Sequence, residues 1–82
     1  MYRIIWDEKA LEDADKLEAL TAQRIGKKIR ELSDNPFSKD IKRLKGSDGF
    51  RLRVGDYRII FFIDGDLITI LKVGHRKNIY ER

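Results

Sequence analysis

The chain's 82 residues carry 18 Lys/Arg against 14 Asp/Glu, a net charge of +4, with 41% hydrophobic residues and no cysteine. One small domain with a thin stability margin follows, since a chain of this size buries only about 60% of its unfolded surface. Disulfides and thiolate metal sites are excluded, and the longest apolar run, Ile59 to Ile63, is far too short to span a membrane.

The charge is unevenly spread. Residues 1–35 hold 7 Lys/Arg against 8 Asp/Glu, whereas residues 36–82 hold 11 against 6. A basic half suggests a nucleic-acid partner; the alternative is a merely soluble basic surface. The start, Met1-Tyr2-Arg3-Ile4-Ile5-Trp6-Asp7, shows no signal-peptide hydrophobic region before the charges begin, so a cytoplasmic protein is expected.

Residues 1–6 alternate as a strand, with Tyr2, Ile4 and Trp6 on one face. Asp7 is a suitable helix N-cap, and Glu8 suits the positive end of a helix dipole. Ala10, Leu11, Ala14 and Leu17 recur at helical spacing through about Leu17. A second helix starts between Glu18 and Ala22, with Thr21 as its candidate cap and Ile25, Ile29 and Leu32 as its apolar stripe. Ser33-Asp34-Asn35-Pro36 ends it, because proline disfavours helical geometry in the residue before it. Helices this close in sequence predict an antiparallel pair packed on a sheet. Residues 37–49 read as a polar, basic connection that Phe37, Ile41 and Leu44 tack to the core.

Phe50-Arg51-Leu52-Arg53-Val54 and Tyr57-Arg58 then read as two strands joined at Gly55-Asp56. That turn places Val54 opposite Tyr57, Arg53 opposite Arg58 and Arg51 opposite Ile60, so the three arginines project from one face. Like charges set opposite one another cost roughly 0.2–1 kcal/mol per pair, which points to an anionic partner. The next strand runs through Ile63, Asp64-Gly65 turns it, and Leu67 to Val73 return. Ile59, Phe61, Ile68 and Ile70 then share one face. Ile60, Phe62, Leu67, Thr69, Leu71 and Val73 share the arginine face, and His75 continues on it. Both faces are therefore largely apolar, and the uncovered one suggests a partner surface or a cover formed by the C-terminal tail. The whole is an α+β chain: strand, antiparallel helix hairpin, then a three-strand antiparallel meander with the helices on one face.

The chemistry left open is cationic. His75 is the only histidine, Asp64 and Asp66 suit a turn better than a metal, and no phosphate-binding loop or recognisable nucleophile is present. No metal and no cofactor are expected. The carboxylate pairs Asp7/Glu8 and Glu12/Asp13 read as helix-start and solvated positions. Arg51, Arg53 and Arg58, joined from the tail by His75, Arg76 and Tyr80, would suit a phosphodiester. Guanidinium forks bind phosphate oxygens and can neutralise a pentacoordinate transition state.

The order of elements, with Arg43-Leu44-Lys45-Gly46, the Phe50–Arg58 hairpin and the closing Val73-Gly74-His75-Arg76-Lys77-Asn78-Ile79-Tyr80, resembles the RelE/ParE superfamily of toxins. The resemblance is closest to the RelE branch, especially its archaeal members, and covers residues 1–82 as a single domain. It implies a ribosome-dependent endonuclease that cuts mRNA by attack of the ribose 2′-hydroxyl on the adjacent phosphate, without metal. It also implies an antitoxin protein partner that wraps the toxin and covers its active site. The family's catalytic positions fall on Arg51, Arg53, Arg58, Arg76 and Tyr80, with His75 as a further acid–base candidate. Lys42, Arg43, Lys45 and Lys77 flank these motifs as RNA-binding candidates. Bacterial RelE proteins carry lysines where this chain has Arg51 and Arg53. Arginine stays protonated, so these two suit phosphate binding and charge stabilisation, and proton transfer falls to Tyr80 or His75. The alternatives are a ParE-type DNA gyrase poison and a remnant that only binds antitoxin.

Overall fold

The computed structural model describes residues 1–38 and 40–79. Its elements are β1 (Arg3–Trp6), α1 (Glu8–Asp15), α2 (Ala19–Leu32), β2 (Ile41–Arg43), β3 (Phe50–Val54), β4 (Tyr57–Asp64) and β5 (Leu67–His75). The five strands form one sheet in the order β1-β5-β4-β3-β2, antiparallel except where β1 runs parallel to β5. The α+β architecture is as expected, with one strand more. Ile41-Lys42-Arg43, read as connection, pairs with Leu52-Arg51-Phe50 and extends the meander to four strands.

Local chemistry accounts for the helix ends. Asp7 caps α1, its carboxylate accepting from the Lys9 N–H at 3.3 Å. The second helix starts at Ala19 after Glu18, which makes no side-chain cap bond, so Thr21 lies inside it. Its stripe packs as the spacing requires: Ile25, Ile29 and Leu32 are buried against Leu52, Ile59, Phe61, Ile68, Ile70 and Val73. Phe61 is fully enclosed and stacks on Phe50 with ring centroids 5.6 Å apart.

Both hairpins place glycine where the turn demands a positive φ, Gly55 at 59° and Gly65 at 61°. The first has the predicted register. In the second, the turn residues are Gly65-Asp66, and Asp64 pairs with Leu67. That slip of two residues preserves the faces, because side chains alternate with period two. A bulge does not preserve them. Phe61 pairs with Ile70 but Ile60 pairs with Lys72, so Leu71 is the extra residue. Beyond it every side chain of β5 changes face: Val73 stands opposite Ile59 in the core, and His75 opposite Tyr57. The placement of Val73 and His75 on the arginine face is thereby corrected.

The open edge of β5 explains what holds the bulge. Trp6 pairs with Ile70 and the Asp7 N–H donates to the Ile70 carbonyl, after which the chain turns into α1. The Val73 N–H has no strand beyond it and donates instead to Asp13 Oδ2 at 3.0 Å. Asp13, read as solvated, is thus a structural acceptor.

The face opposite the helices is partly covered by the loop between β2 and β3. Leu44 and Ile60 are buried there, and Gly49 lies so close to the Phe62 ring that a Cβ would approach it to 2.6 Å. Phe62 and Ile5 stay 39% and 49% exposed, one on each side of Thr69 in a single cross-strand row. Ile79 of the tail packs over Gly74.

Candidate functional site

Strand register assembles the cations into two cross-strand rows on this face. Lys42, Arg51, Ile60 and Lys72 form one, from β2, β3, β4 and β5; Arg53, Arg58 and Gly74 form the other, from β3, β4 and β5. Gly74 reaches that row only because of the bulge, and Ile79 of the tail packs over it where a side chain would stand. Lys42, Arg51, Arg53 and Arg58 line a common depression of about 280 Å³ with Asp40.

The repulsion between Arg53 and Arg58 is offset locally. Arg53 Nη2 donates to Asp40 Oδ1 at 3.2 Å, and its backbone N–H donates to the Asp40 carbonyl at 2.9 Å. Arg58 folds back on the turn, Nη1 donating to the carbonyls of Gly55 and Tyr57, each at 3.0 Å. Those bonds spread its charge without cancelling it, so the guanidinium remains a cation held in place.

The chain end joins at the hairpin tip. The Arg76 N–H donates to the Asp56 carbonyl at 2.8 Å, and Arg76 Nε stands 3.7 Å from Asp56 Oδ1. Arg53, Arg58 and Arg76 consequently line one wall of a groove of about 720 Å³. Its other wall is α2, through Arg24, Lys27 and Lys28. Sequence reasoning missed these three, although their i, i+3, i+4 spacing puts them on one helix face. The groove's carboxylates are already engaged: Asp40 with Arg53, Asp56 with Arg76, and Glu31 with Lys28 at 3.6 Å. Six cations against three paired carboxylates leave the groove with a net positive charge.

Other candidates lie elsewhere. Arg43 stands opposite Phe50 and pairs with Asp48 at 3.6 Å, so it belongs to the helix side of the sheet. Lys45 and Lys77 are exposed, in the β2–β3 loop and in the turn after β5. His75 packs edge-on to Tyr57, ring centroids 5.5 Å apart, away from both arginine rows. Its Nδ1 accepts from the Lys77 N–H at 3.2 Å, which places the neutral ring's proton on Nε2. Tyr80 lies outside the described residues. Among those described, no three His, Asp or Glu side chains stand close enough to hold a metal ion, and no helix is long and apolar enough to cross a membrane.

Comparison with known proteins adds the family. Residues 4–80 match the family of ParE toxins of type II toxin–antitoxin systems. Toxin RelE3 of Methanocaldococcus jannaschii is 46% identical over 48 residues, spanning 57% of this chain and 54% of that one. A second chain of that organism, provisionally named toxin RelE1, is 34% identical over 80 residues, 90% of this chain and 89% of its own. The RelE of a RelB–RelE antitoxin–toxin complex from Methanococcus jannaschii superposes with a TM-score of 0.78 at 31% identity. That match covers 93% of this chain and 94% of that one. The chain belongs to the RelE/ParE superfamily of type II toxin–antitoxin toxins.

Proposed function

We propose that this toxin is a ribosome-dependent endoribonuclease that cleaves mRNA without a metal. The reading is carried by one observation: Arg53 and Arg58 share a row, and Arg76 is tied beside them at the hairpin tip. A phosphodiester seated there meets three guanidiniums from three strands or strand ends. The ribose 2′-hydroxyl attacks the adjacent phosphorus, and charge grows on the equatorial oxygens of the pentacoordinate phosphorane. Fixed guanidiniums stabilise that charge more than they stabilise the ground state. The 5′-oxygen leaves with a proton, giving a cyclic phosphate and a free 5′-hydroxyl. Arg51 and Arg53 bind phosphate rather than move protons. With His75 on the opposite face, proton transfer falls to Tyr80.

The toxin works with a partner. The M. jannaschii RelE described above was crystallised with its antitoxin RelB. By analogy we assign this chain a cognate antitoxin that covers the arginine rows and the exposed Ile5–Phe62 row beside them. The cytoplasm, where translating ribosomes are, is the corresponding location.

Primer extension on a message translated in a purified system tests the nuclease. New cleavage ends are expected with the wild type. Arg58→Ala and Arg76→Ala should each lower the rate about 10²- to 10³-fold, the usual cost of losing one transition-state donor. Unchanged cleavage in both variants would refute the assignment. The family's ParE members motivate a second reading, poisoning of DNA gyrase. Induction of the DNA-damage response with intact mRNA would establish that reading instead.

A further inference from the structure

A second cavity, of about 540 Å³, lies at the open edge of β5, between α1, the end of β5 and the turn that follows it. That volume falls within the roughly 300–1,000 Å³ of small-molecule sites and far exceeds an inorganic ion. Its walls are of two kinds. Leu17, Val73 and Ile79 are apolar, and the half-buried Tyr57 and His75 present an edge-to-face aromatic pair beside them. Asn78 adds an amide able both to donate and to accept.

The charges are unbalanced. Asp13 accepts from Val73 N–H and from Lys9 Nζ, and that hydrogen bond holds the Lys9 ammonium above its ordinary pKa. The two charges offset one another. Lys16 and Lys72 also line the cavity, and neither forms an ion pair among the described residues. His75, with Nδ1 occupied by the Lys77 N–H, offers Nε2–H as a further donor.

We propose that this cavity binds a nucleoside phosphate. The base lies against Leu17, Val73 and the Tyr57–His75 pair, its edge is read by Asn78, and the phosphate meets Lys16 and Lys72. Apolar and aromatic walls alone would take any flat ring, and ammoniums alone any anion. The two together, in a cavity sized for one small molecule, select a flat ring that carries a negative group. Lys72 and Gly74 extend the two rows by register, but none of the arginines lines this cavity, so the proposal stands independently of the nuclease assignment.

Isothermal titration of the full chain with AMP, GMP, adenosine and inorganic phosphate tests it. Saturable binding of at least one nucleotide at a single site is expected, with adenosine and phosphate at least about tenfold weaker. Lys16→Glu combined with Lys72→Glu should weaken the nucleotide about tenfold or more, whereas Arg53→Ala combined with Arg58→Ala should leave it unchanged. Both lysines lie on or near the surface, so these variants keep the fold. Absence of saturable nucleotide binding overturns the proposal. So does phosphate binding as tightly as nucleotide, or a nucleotide lost with the arginines and kept without the lysines.

Discussion

Arg51 and Arg53 occupy positions where arginine and lysine have different consequences. A guanidinium holds phosphate in a fixed fork but gives up no proton near neutral pH, whereas a lysine ammonium does so once its pKa is lowered. In the proposed nuclease the two arginines therefore favour binding over turnover. Arg51→Lys is expected to raise single-turnover cleavage by up to about 10²-fold, the lower end of general acid–base effects, and to add to the pH profile an ionisation beyond that of Tyr80. Arg58→Lys should do the opposite. Arg58 is held by the Gly55 and Tyr57 carbonyls through one guanidinium nitrogen, and an ammonium on a shorter, unforked stem loses that fixed orientation. Single-turnover assays across pH 6–9 check both. A rate that falls in Arg51→Lys, with no new pH dependence, would remove proton transfer as the limiting step.

Among the elements, β5 decides which side chains reach the site. Asp13 on α1 holds the Val73 N–H just past the bulge, and three residues later Arg76 is bonded to Asp56. Asp13→Ala leaves that N–H without its acceptor and should cost about 1–3 kcal/mol. For a domain of this size each kcal/mol lowers Tm by about 4–8 °C. Asp13→Asn keeps an acceptor and should recover most of the loss, which thermal denaturation and hydrogen exchange at the Val73 amide would both register. The same strand marks where sequence reading stops. The Phe50–Arg58 hairpin was legible because glycine at a two-residue turn and alternation on both sides define a register locally. The stripe Ile25-Ile29-Leu32 was legible for the same reason, at helical period. The bulge was not. Ile70-Leu71-Lys72-Val73 contains no glycine or proline, and the acceptor beside it, the Asp13 carboxylate that takes the Val73 N–H, lies 60 residues away in sequence. One extra residue then moved His75 out of the site and brought Gly74 in. Likewise Ile41–Arg43 is too short to show alternation, and it becomes a strand only because β3 offers an edge.

At the scale of the whole molecule, the sheet separates two surfaces. The helices cover one; the other carries Lys42, Arg51, Arg53 and Arg58, with Arg76 at its margin. For a polyanion that surface acts through counterion release as well as through individual contacts. With single-stranded RNA the logarithm of the binding constant should fall linearly with the logarithm of salt concentration, with a slope near −0.7 per phosphate neutralised. Asp40 and Asp56 offset part of Arg53 and Arg76, so the five cations should neutralise about three to five phosphates. The expected slope is about −2 to −3.5, and Arg58→Ala should make it shallower by about 0.7. Arg30, exposed on α2 and outside the groove's lining, supplies the control: Arg30→Ala removes the same net charge and should leave the slope unchanged. Fluorescence anisotropy with a labelled single-stranded RNA between 50 and 300 mM salt measures all three. Equal slope changes in the Arg30 and Arg58 variants would mean that net charge, not the arginine rows, governs the contact. The ordered response would tie RNA binding to the same residues on which the proposed cleavage depends.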